Sequence, residues 1–158
     1  MQTISNWLAS TAFHQFLVDH SWPFPLAETL HFMGLTLLFG AILIVDLRGL
    51  GFLKAIPFKE AHKMVPVAIG AFTVNLLTGI VFIFAEPTMY FDNIIFQAKM
   101  GLILLAGINA LAFELIVFRP YLAGRPTDTG MAVKVISAAS ILIWMLVIIA
   151  GRSIPYVE

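Results

Sequence analysis

Two ionisable side chains, His31 and Lys99, lie inside apolar runs where a charge is costly. Groups placed like this inside a membrane span are functional candidates by default. Each sits about five residues inside the start of its run, ~8 Å deep at a helical rise. Glu28 lies one turn from His31 on the same helix face. Arg152 follows the last apolar run. These four residues form one layer near the outer surface. A second layer, at the other face, holds Asp46, Arg48, His62, Glu114 and Arg119. His31 and His62 are separated by roughly 25 Å of helix. They cannot ligate one metal at ~2.0 Å each, so any site using both is two sites.

A buried imidazole in a four-helix bundle suits axial ligation of haem b, with the bundle supplying a dry slot for the porphyrin. Phe32, Phe39, Phe96 and Trp144 could wall such a slot, and Arg152 and Lys99 could meet its propionates. The sixth position could be filled by Lys99 if its amine is neutral, or by His14 if the N-terminal segment folds over the pocket. Met33 and Met100 are further donors. Glu28 is placed to accept the imidazole N–H of His31 and fix its tautomer. The bland reading has His31 bonding a neighbouring carbonyl while Lys99 snorkels outward. Spacing alone does not separate haem from copper or from a proton relay. The second layer reads as a wetted face with interhelical salt bridges. Glu114 is the exception, about one turn inside, with Arg48, Arg119 or His62 as partner. A ligand for a second haem would be His62. Lys99, Ala106 and Ala110 form a stripe that permits close helix contact or leaves room for a flat ligand, and close packing is the favoured reading. Asn75 and Asn109 are expected to bond across to neighbouring helices. Gly34 and Gly40 read as packing glycines.

The elements that must position these residues follow from composition. The chain has 158 residues, of which 60% are apolar and 11% charged. Its mean hydropathy is +0.95. A soluble domain carries about 25% charged residues, so an ordinary soluble globule and a disordered chain are excluded. Nine basic residues balance nine acidic ones, which leaves no excess to neutralise nucleic-acid phosphates. Cysteine is absent, which excludes disulfides, iron–sulfur clusters and covalently attached haem. No phosphate-binding glycine loop, HExxH or nucleophile elbow occurs.

Four apolar runs, at about 26–47, 62–85, 93–118 and 131–151, are each long enough to cross ~30 Å of hydrocarbon. Backbone groups in lipid must be satisfied internally, so the runs are helices. The expected fold is all-α: one domain, an integral membrane four-helix bundle. Residues 1–25 mix aromatic and polar side chains and read as an interfacial helix on the membrane surface. Four spans put both termini on one side. Arg48, Lys54, Lys59 and Lys63 follow the first span, and Arg119, Arg125 and Lys134 flank the third connection, so seven of the nine basic residues share the opposite side. The basic side is cytoplasmic, which places both termini outside. The apolar outer faces of the second and fourth spans could associate in a homo-oligomer.

The pattern Glu28-Thr-Leu-His31-Phe-Met-Gly34, Asp46-Leu-Arg48, Phe96-Gln-Ala-Lys99, Asn109-Ala-Leu and Gly151-Arg152 resembles a bacterial family of small four-helix membrane proteins of unassigned function. The resemblance runs from Trp22 to Tyr156. More distantly the chain is similar to HemJ-type protoporphyrinogen oxidases and to the CopD-like copper-resistance membrane domain. HemJ proteins bind haem b and pair a first-helix His with a Lys that opens a later helix, positions matched here by His31 and Lys99. The HemJ pattern has a His late in the Lys-bearing helix, where this chain has Glu114. The resemblance therefore implies haem binding more than protoporphyrinogen chemistry. The expectation is a small cytochrome b of the bacterial inner membrane, exchanging electrons with a quinone or a periplasmic redox protein. The alternatives are a HemJ-like oxidase, and a copper-handling or structural membrane subunit without haem.

Overall fold

Each apolar run becomes a long helix, because hydrocarbon offers backbone amides no partner outside their own segment. The computed structural model describes residues 2–91 and 93–157, and no strand occurs among them. Span 1 is Pro23–Leu50, span 2 Phe58–Ala85, span 3 Ile94–Leu122 and span 4 Met131–Tyr156. Four helices of this length and apolarity make the chain a multi-pass membrane protein.

The spans run longer than the apolar runs alone. Span 1 takes Pro23 and Pro25 into its first turn, where their missing N–H groups are not needed. It ends at Gly51, whose φ of 92° turns the chain out of the helix. Span 2 is a short helix, Phe58–His62, running through Lys63 into Met64–Ala85. Span 3 changes pitch. After Ile94–Ala112 it widens into a π-helical stretch, Phe113–Phe118, in which the Arg119 N–H reaches back five residues to the Glu114 carbonyl. Such widenings are rare and recur at functional sites.

Residues 1–25 do not form one helix. Two short helices, α1 (Gln2–Ala9) and α2 (Ala12–Asp19), are separated by Ser10 and Thr11. Ser10 Oγ donates to the Trp7 carbonyl at 2.7 Å and Thr11 Oγ1 to that of Leu8 at 2.6 Å. Thr11 Oγ1 then accepts the His14 N–H and caps α2. Local bonding by these hydroxyls competes with helix continuation. The pair packs on the end of span 2 and on the short helix Pro87–Phe91, with Phe13 edge-on to Phe84.

Between helices in lipid, van der Waals contact and hydrogen bonds do the work that hydrophobicity does in water. Span 1 packs along span 2 and span 4, and span 3 packs along span 4. A Cβ on Gly34 would stand 2.6 Å from Asn75 Oδ1 and 3.3 Å from the Ala71 carbonyl, so glycine sets the approach of spans 1 and 2. Gly49 does the same for spans 1 and 4, against Ser137 and Val133. Gly40 is no packing glycine, since a Cβ there meets nothing within 4 Å. Spans 2 and 3, in contrast, make no comparable packing contact among the described residues.

The two ends of the bundle are tied by specific bonds. At the end bearing the termini, Asn93 caps span 3 by accepting the N–H groups of Ile95 and Phe96. Its amide donates to the Ile154 and Val157 carbonyls and fastens the C-terminus. At the basic end, Arg48 Nε donates to the Ile56 carbonyl at 2.6 Å, its guanidinium lies 3.6 Å from Asp128, and it covers the Phe58 ring. Arg48 thus joins the first and third connections.

Candidate functional site

The structure places His31 and Lys99 in one layer, on opposite halves of the bundle. His31 is partly buried against span 2, its ring 5.1 Å from that of Phe82. It lies eight residues into its helix, roughly 12 Å deep, because span 1 starts earlier than its apolar run. Lys99 lies against span 4, its Nζ about 3.3 Å from where a Cβ on Gly151 would stand. The two groups are close enough to interact electrostatically.

The tautomer of His31 follows from its partner. His31 Nδ1 and Thr78 Oγ1 are 2.8 Å apart. The Thr78 hydroxyl has one proton and aims it at the Val74 carbonyl at 2.8 Å. With the hydroxyl proton on that carbonyl, the oxygen is left to accept from the imidazole, which assigns the ring proton to Nδ1. The Asn75 carbonyl also faces the ring and favours the same tautomer. Nε2 keeps its lone pair, the state a metal-ligating imidazole requires. The role expected of Glu28 thus belongs to Thr78, which is buried with 6% of its surface exposed. Glu28 is itself exposed. It flanks Tyr90, whose phenol is pushed up to about 12 by burial and by the carboxylates of Glu86 and Glu28.

The other outer candidates divide by position. The N-terminal segment does fold onto the bundle, and His14 Nδ1 donates to the Phe84 carbonyl at 2.8 Å. Arg152 is exposed at the end of span 4, over the Tyr156 ring. Met33 and Met100 point outward, 65% and 46% exposed. Phe32 is exposed as well, Phe96 packs on Tyr90, and only Phe39 and Trp144 of the four expected walls belong to the central core.

The second layer is more than a wetted face. A cavity of about 490 Å³ opens where spans 2 and 3 fail to meet. Its walls are apolar and include Phe72, Ile103, Ala106 and Trp144. Ile69, Gly107 and Ala110, on the two facing spans, line it and are also exposed on the bundle surface. Of the stripe on span 3, Ala106 is buried in the central core as close packing requires and also borders this space, while Ala110 lines it and is exposed. His31 and Lys99 do not line this space. Its nearest wall, Ile103, is one helical turn inward of Lys99.

Polar groups gather toward the basic end of the cavity. Glu114 accepts from His62 Nε2 at 3.0 Å and lies 3.8 Å from Arg119 Nε, leaving Arg48 to Asp128. The His62 ring stacks on Phe118, and its Nε2 is engaged by Glu114. Asn109 reaches across to the Ile136 carbonyl at 3.2 Å, as expected. Asn75 does not, since its Oδ1 rests on Gly34 without a partner among the described residues. Asp46 is 3% exposed and lines the cavity beside Ser140. Ser137 stands near the same carboxyl, yet neither Asp46 Oδ2 nor Ser137 Oγ has a partner at bonding geometry among the described residues.

Among the described residues, no group of three or more His, Asp or Glu side chains is placed to hold a bare metal ion. No curated protein and no solved structure matches the chain. The region that builds the bundle, from the turn before span 1 to the C-terminal tie at Val157, does have a sequence-family match. It covers residues 22–157 and leaves out only the two N-terminal helices and the last residue, so the chain belongs to the family of unknown function DUF6644.

Proposed function

We propose that this is a membrane redox protein that holds a haem b in the outer layer, with His31 Nε2 as the axial ligand. The observation that carries the reading is the Thr78 contact at Nδ1, which assigns the ring proton to that nitrogen and the lone pair to Nε2, in an imidazole within electrostatic reach of Lys99. A porphyrin iron needs one or two protein donors, whereas a bare metal ion usually takes three or more. The donor set here, one imidazole and one amine, suits the porphyrin. Haem b supplies a one-electron couple when bound. His31 binds, Thr78 orients it, Lys99 faces it, and Arg152 at the same end offers a cation for a carboxylate. The seven basic residues gathered at the other end support an inner-membrane orientation with the termini in the periplasm.

The test is a reduced-minus-oxidised visible spectrum of the purified full chain, with a pyridine haemochrome assay. About one b-type haem per chain is expected, and His31→Ala should abolish most of it. A His31→Ala protein with full haem content would remove His31 as ligand. A colourless protein expressed with haem supplied would remove the haem.

A further inference from the structure

We propose that the cavity between spans 2 and 3 is a binding site for a lipid-soluble quinol, entered sideways from the bilayer. Three independent features carry this. The opening lies at membrane depth, between two spans that do not pack on one another among the described residues. The walls are apolar and aromatic, with Phe72 and Trp144 meeting edge-on, their ring centroids 6.5 Å apart, which offers an aromatic surface to an apolar ring. At the far end Asp46 and Ser140 line the space, and the buried Asp46 Oδ2 has no hydrogen-bond partner among the described residues.

An orphaned carboxyl oxygen in a dry site is costly. A small turn of the Asp46 carboxyl toward a ligand hydroxyl in the space it lines relieves that cost. The ligand must therefore carry a donor at one end and an apolar body, and its tail must leave through the gap beside Ile69, Gly107 and Ala110. A hydroquinone ring on an isoprenoid chain has this form. A fatty acid does not, because its carboxylate would meet two carboxyls, Asp46 and Glu114, with the His62 imidazole already bonded to Glu114. The site is separate from the His31 layer and does not rest on the haem reading.

The probe is a short-chain quinol with a diazirine on its tail, photolysed with the full chain in phosphatidylethanolamine–phosphatidylglycerol nanodiscs. Adducts should fall on residues 65–72 and 103–110, and excess decylubiquinol should suppress them. Asp46→Asn should weaken that competition about tenfold, the loss of one good hydrogen bond. Gly107→Phe should abolish labelling, and a Cβ there meets nothing within 4 Å, so the backbone accepts it. Labelling spread over all lipid-facing surfaces, or unaffected by decylubiquinol, would overturn the proposal. So would a Gly107→Phe protein that labels like the parent. Haem content measured on the same nanodiscs reports on His31 separately.

Discussion

At the scale of single residues, the central pair is His31 and Thr78. Three other threonines, Thr29, Thr36 and Thr73, bond back to the carbonyl four residues earlier. Thr78 makes the same back-bond, and that is what turns its oxygen into an acceptor for His31. A neutral bond of this kind contributes about 0.5–1.5 kcal/mol, but its larger effect is to choose the tautomer. Thr78→Val keeps the shape and removes the acceptor, so the ring can turn and carry its proton on either nitrogen. Haem affinity should fall about 10–100-fold, as it does when other orienting partners are lost. Transfer of haem to apomyoglobin would measure the fall, and Thr78→Ser should restore retention. Equal retention in Thr78→Val would show that the hydroxyl only caps its own helix.

Helix packing decides where the bundle closes and where it stays open. Gly34 lets span 1 approach the Ala71–Asn75 surface of span 2, and Gly49 brings span 4 against the same helix. Gly34→Leu would have to displace both Asn75 Oδ1 and backbone at Ala71, an overpacking cost of about 1–3 kcal/mol. Its thermal midpoint in detergent should drop by several degrees, as expected for that cost. Gly40→Leu, six residues away and facing open space, should unfold with the parent. If both variants melt alike, the glycine contact does not hold these spans together. The spans themselves were legible in the sequence because the bilayer imposes their length, and Gly34 was legible because small residues mark close contacts. The cavity was not legible. Hydropathy says which faces are apolar, and it does not say which pairs of helices touch. Asp46 read as a charge at a span end, because Arg48 follows it. The helix continues to Leu50, which carries Asp46 one turn into the core while Arg48 reaches back to the connections.

The whole molecule is asymmetric along the membrane normal. One end carries α1, α2, the Asn93 tie and both termini, with the His31–Lys99 layer a few turns below. The other end carries seven of the nine basic residues, with Asp46, His62 and Glu114 just inside. In the orientation proposed from the charge bias, the basic connections face the cytoplasm. A haem on His31 would then lie nearer the periplasm, and the polar end of the cavity nearer the cytoplasm. Electrons and protons exchanged at the two layers would use opposite faces of the membrane, so orientation decides what the pair of sites can couple. The chain has no cysteine, so single introduced cysteines report orientation without background. Ser21, Ala55 and Ala123 are exposed and uncharged, and replacing them leaves the charge bias intact. In intact spheroplasts an impermeant maleimide should label Ser21→Cys at once. Ala55→Cys and Ala123→Cys should react only after permeabilisation. Immediate labelling of Ala55→Cys with protection of Ser21→Cys would invert the molecule, move His31 to the cytoplasmic side, and exclude a periplasmic redox partner for it.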